Sequence, residues 1–312
     1  MGQSPRQADR QAQPARNNAA PMFGLLNVHK PSGPTSRRIV DRIERLVRPH
    51  KAGHAGTLDP LASGVLVLCI GPATRLIPFV QQQRKRYSAT FQLGLTSPTE
   101  DTQGEVRSVP GAPIPTQAEV LAAARRLAQS ALQRPPIYSA LKVAGRRAYA
   151  LARAGETVEL KPRPIVLYRL EVVAYRYPQL ELEIECSAGT YVRSLGRDLA
   201  ESLGTGAVMS ALVRTAVGPF TLDKAVAVEN LSAESLASAL ENPLAAVGHL
   251  PRLALTDEQV ACVHQGRAIE NPLAGELQEI AAVDSRGQLV ALLIPADGGM
   301  LRPRRCFLAG GE

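Results

Sequence analysis

Gly53-His54-Ala55-Gly56-Thr57-Leu58-Asp59-Pro60-Leu61-Ala62-Ser63-Gly64 is the stretch on which the reading of this chain turns. It has neither helical nor strand period. Gly53, Gly56 and Gly64 permit positive φ and close approach of another backbone, while Asp59-Pro60 fixes a local bend. Taken alone, these residues leave two readings open. One is a turn in which Asp59 accepts local backbone hydrogen bonds, a common task for Asp in Gly- and Pro-rich loops. The other is a loop presenting a carboxylate to an approaching polymer backbone, which needs the same residue types.

Working outward, Phe23-Gly24-Leu25-Leu26-Asn27-Val28 is a strand-like run that Lys30-Pro31-Ser32-Gly33-Pro34 brings to an end. Thr35 or Ser36 caps the next helix, whose apolar face is Ile39, Ile43, Leu46 and Val47. Downstream, Val65 to Ile70 reads as a buried strand. Tyr87, Ala89, Phe91 and Leu93 alternate with polar residues, as do Leu180, Leu182, Ile184 and Cys186, so both runs predict strands with one wet face. Thr116-Gln117-Ala118-Glu119 is a capping box opening a helix through about Gln133. Val192, Leu195, Leu199 and Leu203 trace a further helix that stops at Gly204.

Helices and strands thus mix without regular βαβ alternation. The pattern predicts an α+β domain over 21–245, with a mainly antiparallel mixed sheet flanked by helices. Residues 1–20, rich in Gln, Ala, Arg and Pro, read as a disordered tail. After Asn242 the apolar residues fall in short pieces broken by Gly, Pro and Asp-Ser, which predicts a separate small β-rich domain over about 250–312.

Composition narrows the function. Of 312 residues, 45% are hydrophobic and 21% charged, as in an ordinary globular protein, and no apolar run is long enough to cross a bilayer. The N-terminus shows no apolar core of a secretory signal, so a cytoplasmic protein is expected. Cys69, Cys186, Cys262 and Cys306 lie far apart, which fits free thiols rather than a zinc ribbon or disulfide framework, and the five histidines supply no metal spacing. The net charge of +8 favours a polyanionic partner. Its distribution is more informative than its size. Arg37, Arg38, Arg42, Arg45, Arg48 and Lys51 form one cluster, Arg84-Lys85-Arg86 a second, and Lys142, Arg146, Arg147, Arg153, Lys161 and Arg163 a third.

The 53–64 stretch resembles the catalytic motif of the TruB family, the bacterial tRNA pseudouridine-55 synthases. Other landmarks follow in the expected order: Lys30-Pro31-Ser32-Gly33-Pro34-Thr35-Ser36, Lys85-Arg86-Tyr87, Pro135 to Lys142, Arg163-Pro164-Ile165, Gly189 to Leu195 and Ser210 to Thr215. The resemblance covers about residues 23–220. Arg302-Pro303-Arg304-Arg305-Cys306-Phe307-Leu308 resembles the ending of a PUA-like domain.

That resemblance implies a pseudouridine-synthase fold and isomerisation of one uridine in the T arm of tRNA. The N1–C1′ bond breaks, the base turns, and C5 joins C1′. Asp59 falls on the catalytic aspartate, which either attacks C1′ or removes a sugar proton. Arg193 falls on the arginine that pairs with it, where a guanidinium offers two parallel hydrogen bonds. Tyr87 is implied to stack on the target base, His54 to fill the space vacated by the flipped uridine, and Tyr191 and Leu212 to line the base pocket. Lys30, Arg86 and Lys142 are implied to contact RNA, and the C-terminal domain to grip the acceptor end. The rearrangement is redox-neutral and implies no cofactor and no metal; a monomer is expected. Three departures stand out: Pro98 within Ser97-Pro98-Thr99-Glu100-Asp101, His29 before Lys30, and Val213. They put RNA contacts near 97–101 and 213 in question. Two rivals remain on charge and local pattern, a non-catalytic RNA-binding or chaperone protein and a hydrolase using Asp59 as nucleophile. No Ser/His/Asp or paired-acid constellation supports the second.

Overall fold

The structure is a computed structural model that describes residues 22–129, 132–139, 141–143, 146–147, 160–273 and 278–307; the expected tail over 1–20 lies outside them. Elements are introduced in chain order. The first half holds β1 (Gly24–Lys30), α1 (Ser36–Leu46), β2 (Ala52–His54), β3 (Ser63–Ile70), α2 (Ile77–Gln82), β4 (Lys85–Leu93) and α3 (Gln117–Ala128). Then come β5 (Leu167–Arg176), β6 (Gln179–Cys186), α4 (Val192–Glu201), β7 (Ala207–Val217), β8 (Phe220–Thr221), β9 (Val226–Ala227) and α5 (Ala233–Ser238). The C-terminal part holds β10 (Arg252–Ala254), α6 (Asp257–His264), β11 (Ile269–Glu270), β12 (Ile280–Val283), β13 (Leu289–Ala296) and β14 (Met300–Cys306).

Nine strands form one sheet in the order β5-β6-β4-β7-β3-β1-β9, with β8 on β7 and β2 on β3. All its pairings are antiparallel except β1 with β9 and β7 with β3, so the sheet is mixed and mainly antiparallel, as the half-wet strand patterns predict. β3 was expected as a buried strand and pairs on two sides, with β1 from Gly24↔Ile70 to Lys30↔Gly64 and with β7 at Arg214↔Gly64. The chain thereby brings Arg214 against the end of the glycine-rich loop.

Local chemistry explains the helices that flank the sheet. Thr35, not Ser36, caps α1, accepting from Arg38 N, while Ile39, Val40 and Ile43 pack with Leu26, Leu66 and Leu68. The Thr116–Glu119 capping box opens α3 as predicted, with Glu119 also accepting from the Thr116 N–H at 2.7 Å. α3 ends at Ala128 rather than near Gln133. Gln133 instead belongs to a two-residue strand paired with Arg163–Pro164, buried by a tertiary partner that helix periodicity does not register. The glycine-rich stretch also contains more regular structure than its composition predicts, since Ala52–His54 pairs with Leu68–Ile70.

α4 lies almost flush on the sheet. A Cβ at Gly196 would come within 2.1 Å of the Phe91 ring, so only glycine allows this approach. Leu195 and Leu199 then pack with Phe91, Leu180, Leu182 and Val120 in one core cluster. Each such buried side chain contributes about 1.5–3 kcal/mol by area, before cavity effects are added.

A second, five-stranded sheet runs β10-β12-β13-β14-β11. Its Ala281, Leu289 and Leu292, with Phe307 just beyond it, share a cluster with Leu25, Val65, Phe220 and Val247, so apolar packing joins it to the larger sheet. Phe23 and Phe307 stack with ring centres 5.3 Å apart. Among the described residues, no helix is long and apolar enough to cross a membrane.

Candidate active site

The 55–64 loop is held by hydrogen bonds to its backbone from both sides. From one side, Ser36 Oγ donates to Leu58 O and accepts from Leu58 N at 2.8 Å, Ser32 Oγ donates to Leu61 O, and Gly33 N donates to Pro60 O. From the other, the buried Arg214 guanidinium donates to Val65 O at 2.7 Å, Gly56 O at 3.1 Å and Thr57 O at 3.3 Å. Two loop carbonyls and one from β3 are thus satisfied by one cation. Asp59 sits at the apex. Its backbone carbonyl accepts from Ala62 N.

Arg193 meets it. Buried in the first turn of α4, it places Nε 3.0 Å from Asp59 Oδ2 and 3.9 Å from Oδ2 of the buried Asp101. The expected two-point contact is not what forms. Nη1 donates to Thr99 O and Nη2 to Tyr138 O at 3.1 Å, so the outer nitrogens are hydrogen-bonded to main-chain carbonyls, and the closest approach to Asp59 is made by Nε. The guanidinium's orientation is thus set by the segments around it. The Asp59 side chain retains 37% of its exposure, against 8% for Arg193, so the carboxylate is the half open to an incoming ligand.

A cleft of about 700 Å³ opens above this pair. Tyr87, Lys85, Tyr138, Ser139, Tyr191, Leu212 and Arg214 line it with the loop residues Ala55 to Pro60. Tyr87 and Leu212 arrive on paired strands, with Leu212 opposite Ala89 and Arg214 opposite Tyr87. Burial raises the Tyr87 phenol above its ordinary value, partly offset by the nearby Arg214 charge and hydrogen bond, so it stays protonated at neutral pH. Burial likewise raises Tyr191. Gln133 brackets the backbone of Tyr191, accepting from its N–H at 2.9 Å and donating to its carbonyl at 3.0 Å.

The remaining expected residues divide. His54 is half-buried beside the loop, its Nδ1 accepting from Gly56 N at 3.4 Å; it does not line the cleft, and burial lowers its pKa so that it is uncharged at neutral pH. Lys30 differs from expectation. It is fully buried, with Nζ donating to Pro31 O and Pro34 O, and it holds the turn between β1 and α1 rather than facing an RNA backbone. Burial lowers its pKa to about 8, against the opposing pull of Asp59. Arg86 is exposed on the strand face opposite Tyr87. Lys142 pairs through its backbone with Arg147, and its side chain lies outside the description. The arginines of the first basic cluster are exposed along α1 and just beyond it.

Sequence reasoning missed Asp101, Glu100, Arg197 and the role of Arg214. The stretch 97–101 stood out only as a departure, although its two adjacent acids opposite two arginines spaced by four on α4 were a usable signal. Among the described residues, no group of three or more His, Cys, Asp or Glu is placed to hold a metal.

Comparison with known proteins places the chain in a family. Residues 44–192 match the model of the TruB family pseudouridylate synthase N-terminal domain, and 193–250 that of the tRNA pseudouridylate synthase B C-terminal domain. The chain is 41% identical over 304 residues to tRNA pseudouridine synthase B of Arthrobacter sp. (strain FB24), covering 93% of this chain and 98% of that one. The chain belongs to the TruB family. Other TruB-family relatives include tRNA pseudouridine synthase B of Dehalococcoides mccartyi, 38% identical over 92% of this chain and 97% of its own, and that of Mycobacterium tuberculosis (strain CDC 1551 / Oshkosh), 42% identical over 86% and 91%. A crystal structure of a Cbf5-Nop10-Gar1 complex superposes with TM-score 0.69 at 25% identity, covering 92% of this chain and 85% of that one. The TruB-family chain is thus a tRNA pseudouridine synthase, an isomerase.

Proposed function

We propose that the chain isomerises uridine 55 in the T arm of tRNA, with Asp59 as the catalytic residue. The observation that carries this is the Asp59–Arg193 pair at the floor of the cleft, 3.0 Å apart, with the carboxylate as its open half. The carboxylate is the group that would attack C1′ or remove a sugar proton after N1–C1′ cleavage, and the Arg193 guanidinium lies beside it. Tyr87, Tyr191 and Leu212 offer the flipped uracil ring surfaces and an aliphatic wall. The protonated Tyr87 phenol is suited to pass a proton as C5 replaces N1. His54, beside the loop rather than in the cleft, is suited to the gap left in the T loop.

The exposed arginines on α1, with Arg86, Lys161 and Arg163, supply phosphate contacts on either side of the cleft. We assign residues 21–245 to the catalytic domain and 250–312 to a PUA-like domain that grips the acceptor end. The chain acts in the cytoplasm as a monomer, without cofactor. Charge alone would equally fit a binding or chaperone protein; the carboxylate and its cation favour chemistry.

Asp59→Asn tests the reading. Tritium release from a 5-tritiated uridine T-arm stem-loop should fall to background while the stem-loop still binds. Undiminished release by Asp59→Asn would sink the mechanism, and pseudouridine mapped elsewhere than position 55 would sink the substrate assignment.

A further inference from the structure

Two arginines one helical turn apart on α4 reach to the same two chain segments. Arg193 donates to Thr99 O and to Tyr138 O. Arg197 donates through Nη1 to the Glu100 carboxylate and through Nη2 to Arg134 O at 2.7 Å, while Nε holds Asp198 at 2.9 Å. Each guanidinium therefore ties α4 to the 97–101 segment and to the 132–139 segment. Glu100 returns the contact from its other oxygen, accepting from Ser194 Oγ at 2.7 Å. The side chains of Glu100 and Arg197 are only 12% and 14% exposed.

Glu100 is also the non-glycine residue with positive φ, +62°, among those described. Such a conformation persists where surroundings over-determine it. Here Glu100 N donates to Ser97 O and Glu100 O accepts from Met209 N, both at 3.0 Å, in addition to the two side-chain contacts.

We propose that Glu100 and Arg197 are positioning residues for the catalytic pair: their ion pair fixes the segments whose carbonyls aim the Arg193 guanidinium, and so sets how Nε meets Asp59. The proposal rests on the reading of Asp59 and Arg193 given above. Neither Glu100 nor Arg197 lines the cleft, so both act through Arg193. Because both outer nitrogens of Arg193 are hydrogen-bonded to Thr99 O and Tyr138 O, its direction depends on these carbonyls, and they belong to the segments that Arg197 bolts down. All three guanidinium nitrogens of Arg197 are engaged, which leaves it poorly suited to an RNA phosphate. A shift of about 1 Å in a reacting group costs roughly a hundredfold in rate, so small freedoms in these segments matter.

The test uses the full chain, single-turnover tritium release at saturating T-arm stem-loop, and stem-loop binding. Arg197→Met and Glu100→Gln should each slow the chemical step roughly ten- to hundredfold while binding changes by less than about twofold. Arg197→Lys should restore part of the rate, since an ammonium reaches Glu100 but does not fork to Arg134 O as well. Ser194→Ala should give a loss of a few fold. In an Arg193→Lys background, Arg197→Met should cost less than about threefold further, because coupled residues are not additive. An equal loss in both backgrounds would show a general structural role and overturn the proposal, as would rates within about threefold of wild type, or weakened binding with an unchanged saturated rate. Should Arg197→Met not fold, Glu100→Gln and Ser194→Ala carry the same cycle. A wild-type chain that releases no tritium would overturn the site reading itself, and the proposal with it.

Discussion

The 55–64 loop and the 97–101 segment hold the two halves of one ion pair by different means. The loop that carries Asp59 is fixed by main-chain geometry, through glycines, the Asp59-Pro60 bend and carbonyls gathered by Arg214. The segment that steadies Arg193 is fixed by the charged side chains of Asp101 and Glu100 together with the Thr99 carbonyl, meeting α4 from some 94 positions away in sequence. A group that reacts is presented by a shape; a group that assists is aimed by a network. The two should fail differently. Damage to the loop should cost folding, and damage to the segment should cost rate.

The largest expected effect tests the loop. Gly64 has φ +106°, and a Cβ there would lie 2.2 Å from Arg214 O, a backbone atom that cannot swing aside. Gly64→Ala should lose about 4 kcal/mol or more of stability, measured by urea denaturation. A variant within about 1 kcal/mol of wild type would break the claim that main-chain geometry fixes this loop. Next comes Arg193→Lys, which keeps a charge but not three directed nitrogens. It should lower kcat by about a hundredfold, or about 2.7 kcal/mol of transition-state stabilisation, with the fold intact. Near-wild-type turnover would mean that a point charge beside Asp59 suffices.

A smaller loss should follow Asp101→Asn, and it sharpens the contrast within the segment. The buried Asp101 carboxylate accepts from Thr99 Oγ1 at 2.6 Å and Gln103 N at 3.0 Å, besides lying near Arg193 Nε. The amide preserves shape and some hydrogen bonds but leaves Asp59 as the sole anion on that guanidinium. A drop of about tenfold in kcat, roughly 1.4 kcal/mol, is expected, with KM little changed. A change confined to KM would move Asp101 to RNA binding, where the sequence departure at Pro98 first placed doubt.

The same contrast explains what was legible in the sequence. Glycine spacing, an Asp-Pro bend and a Thr cap act over a few residues, so the loop, α1 and the start of α3 could be read directly. The half-wet strands gave the antiparallel sheet because period-two alternation is local too. The resemblance to a family supplied Asp59, Arg193 and Tyr87. The end of α3 was not legible, because Gln133 answers to the Tyr191 backbone 58 positions away rather than to its neighbours. Nor was the burial of Lys30. A lysine in a Pro- and Gly-rich turn looks exposed until two carbonyls close over it.

Lys30 provides the smallest effect and a third way of holding a site, by a buried cation next to the loop. It pairs in β1 with Gly64 of β3, and its ammonium faces Pro31 O and Pro34 O. Burial lowers its folded pKa to about 8 from 10.5, with the Arg214 charge adding to the shift and Asp59 opposing it. The unfolded chain therefore binds this proton more tightly than the folded one. The cost of the buried charge applies in full below about pH 8 and is relieved as pH rises towards 10.5. The stability of wild type relative to Lys30→Met should consequently climb across that window, while Lys85, shifted in the same direction, is present in both proteins and cancels. Paired urea denaturations at the two ends of the window measure the climb. In an Asp59→Asn background the supporting negative charge is gone, and the climb should begin at lower pH. An unmoved onset would show that Lys30 does not sense the catalytic carboxylate, and the loop would then stand on main-chain geometry and Arg214 alone.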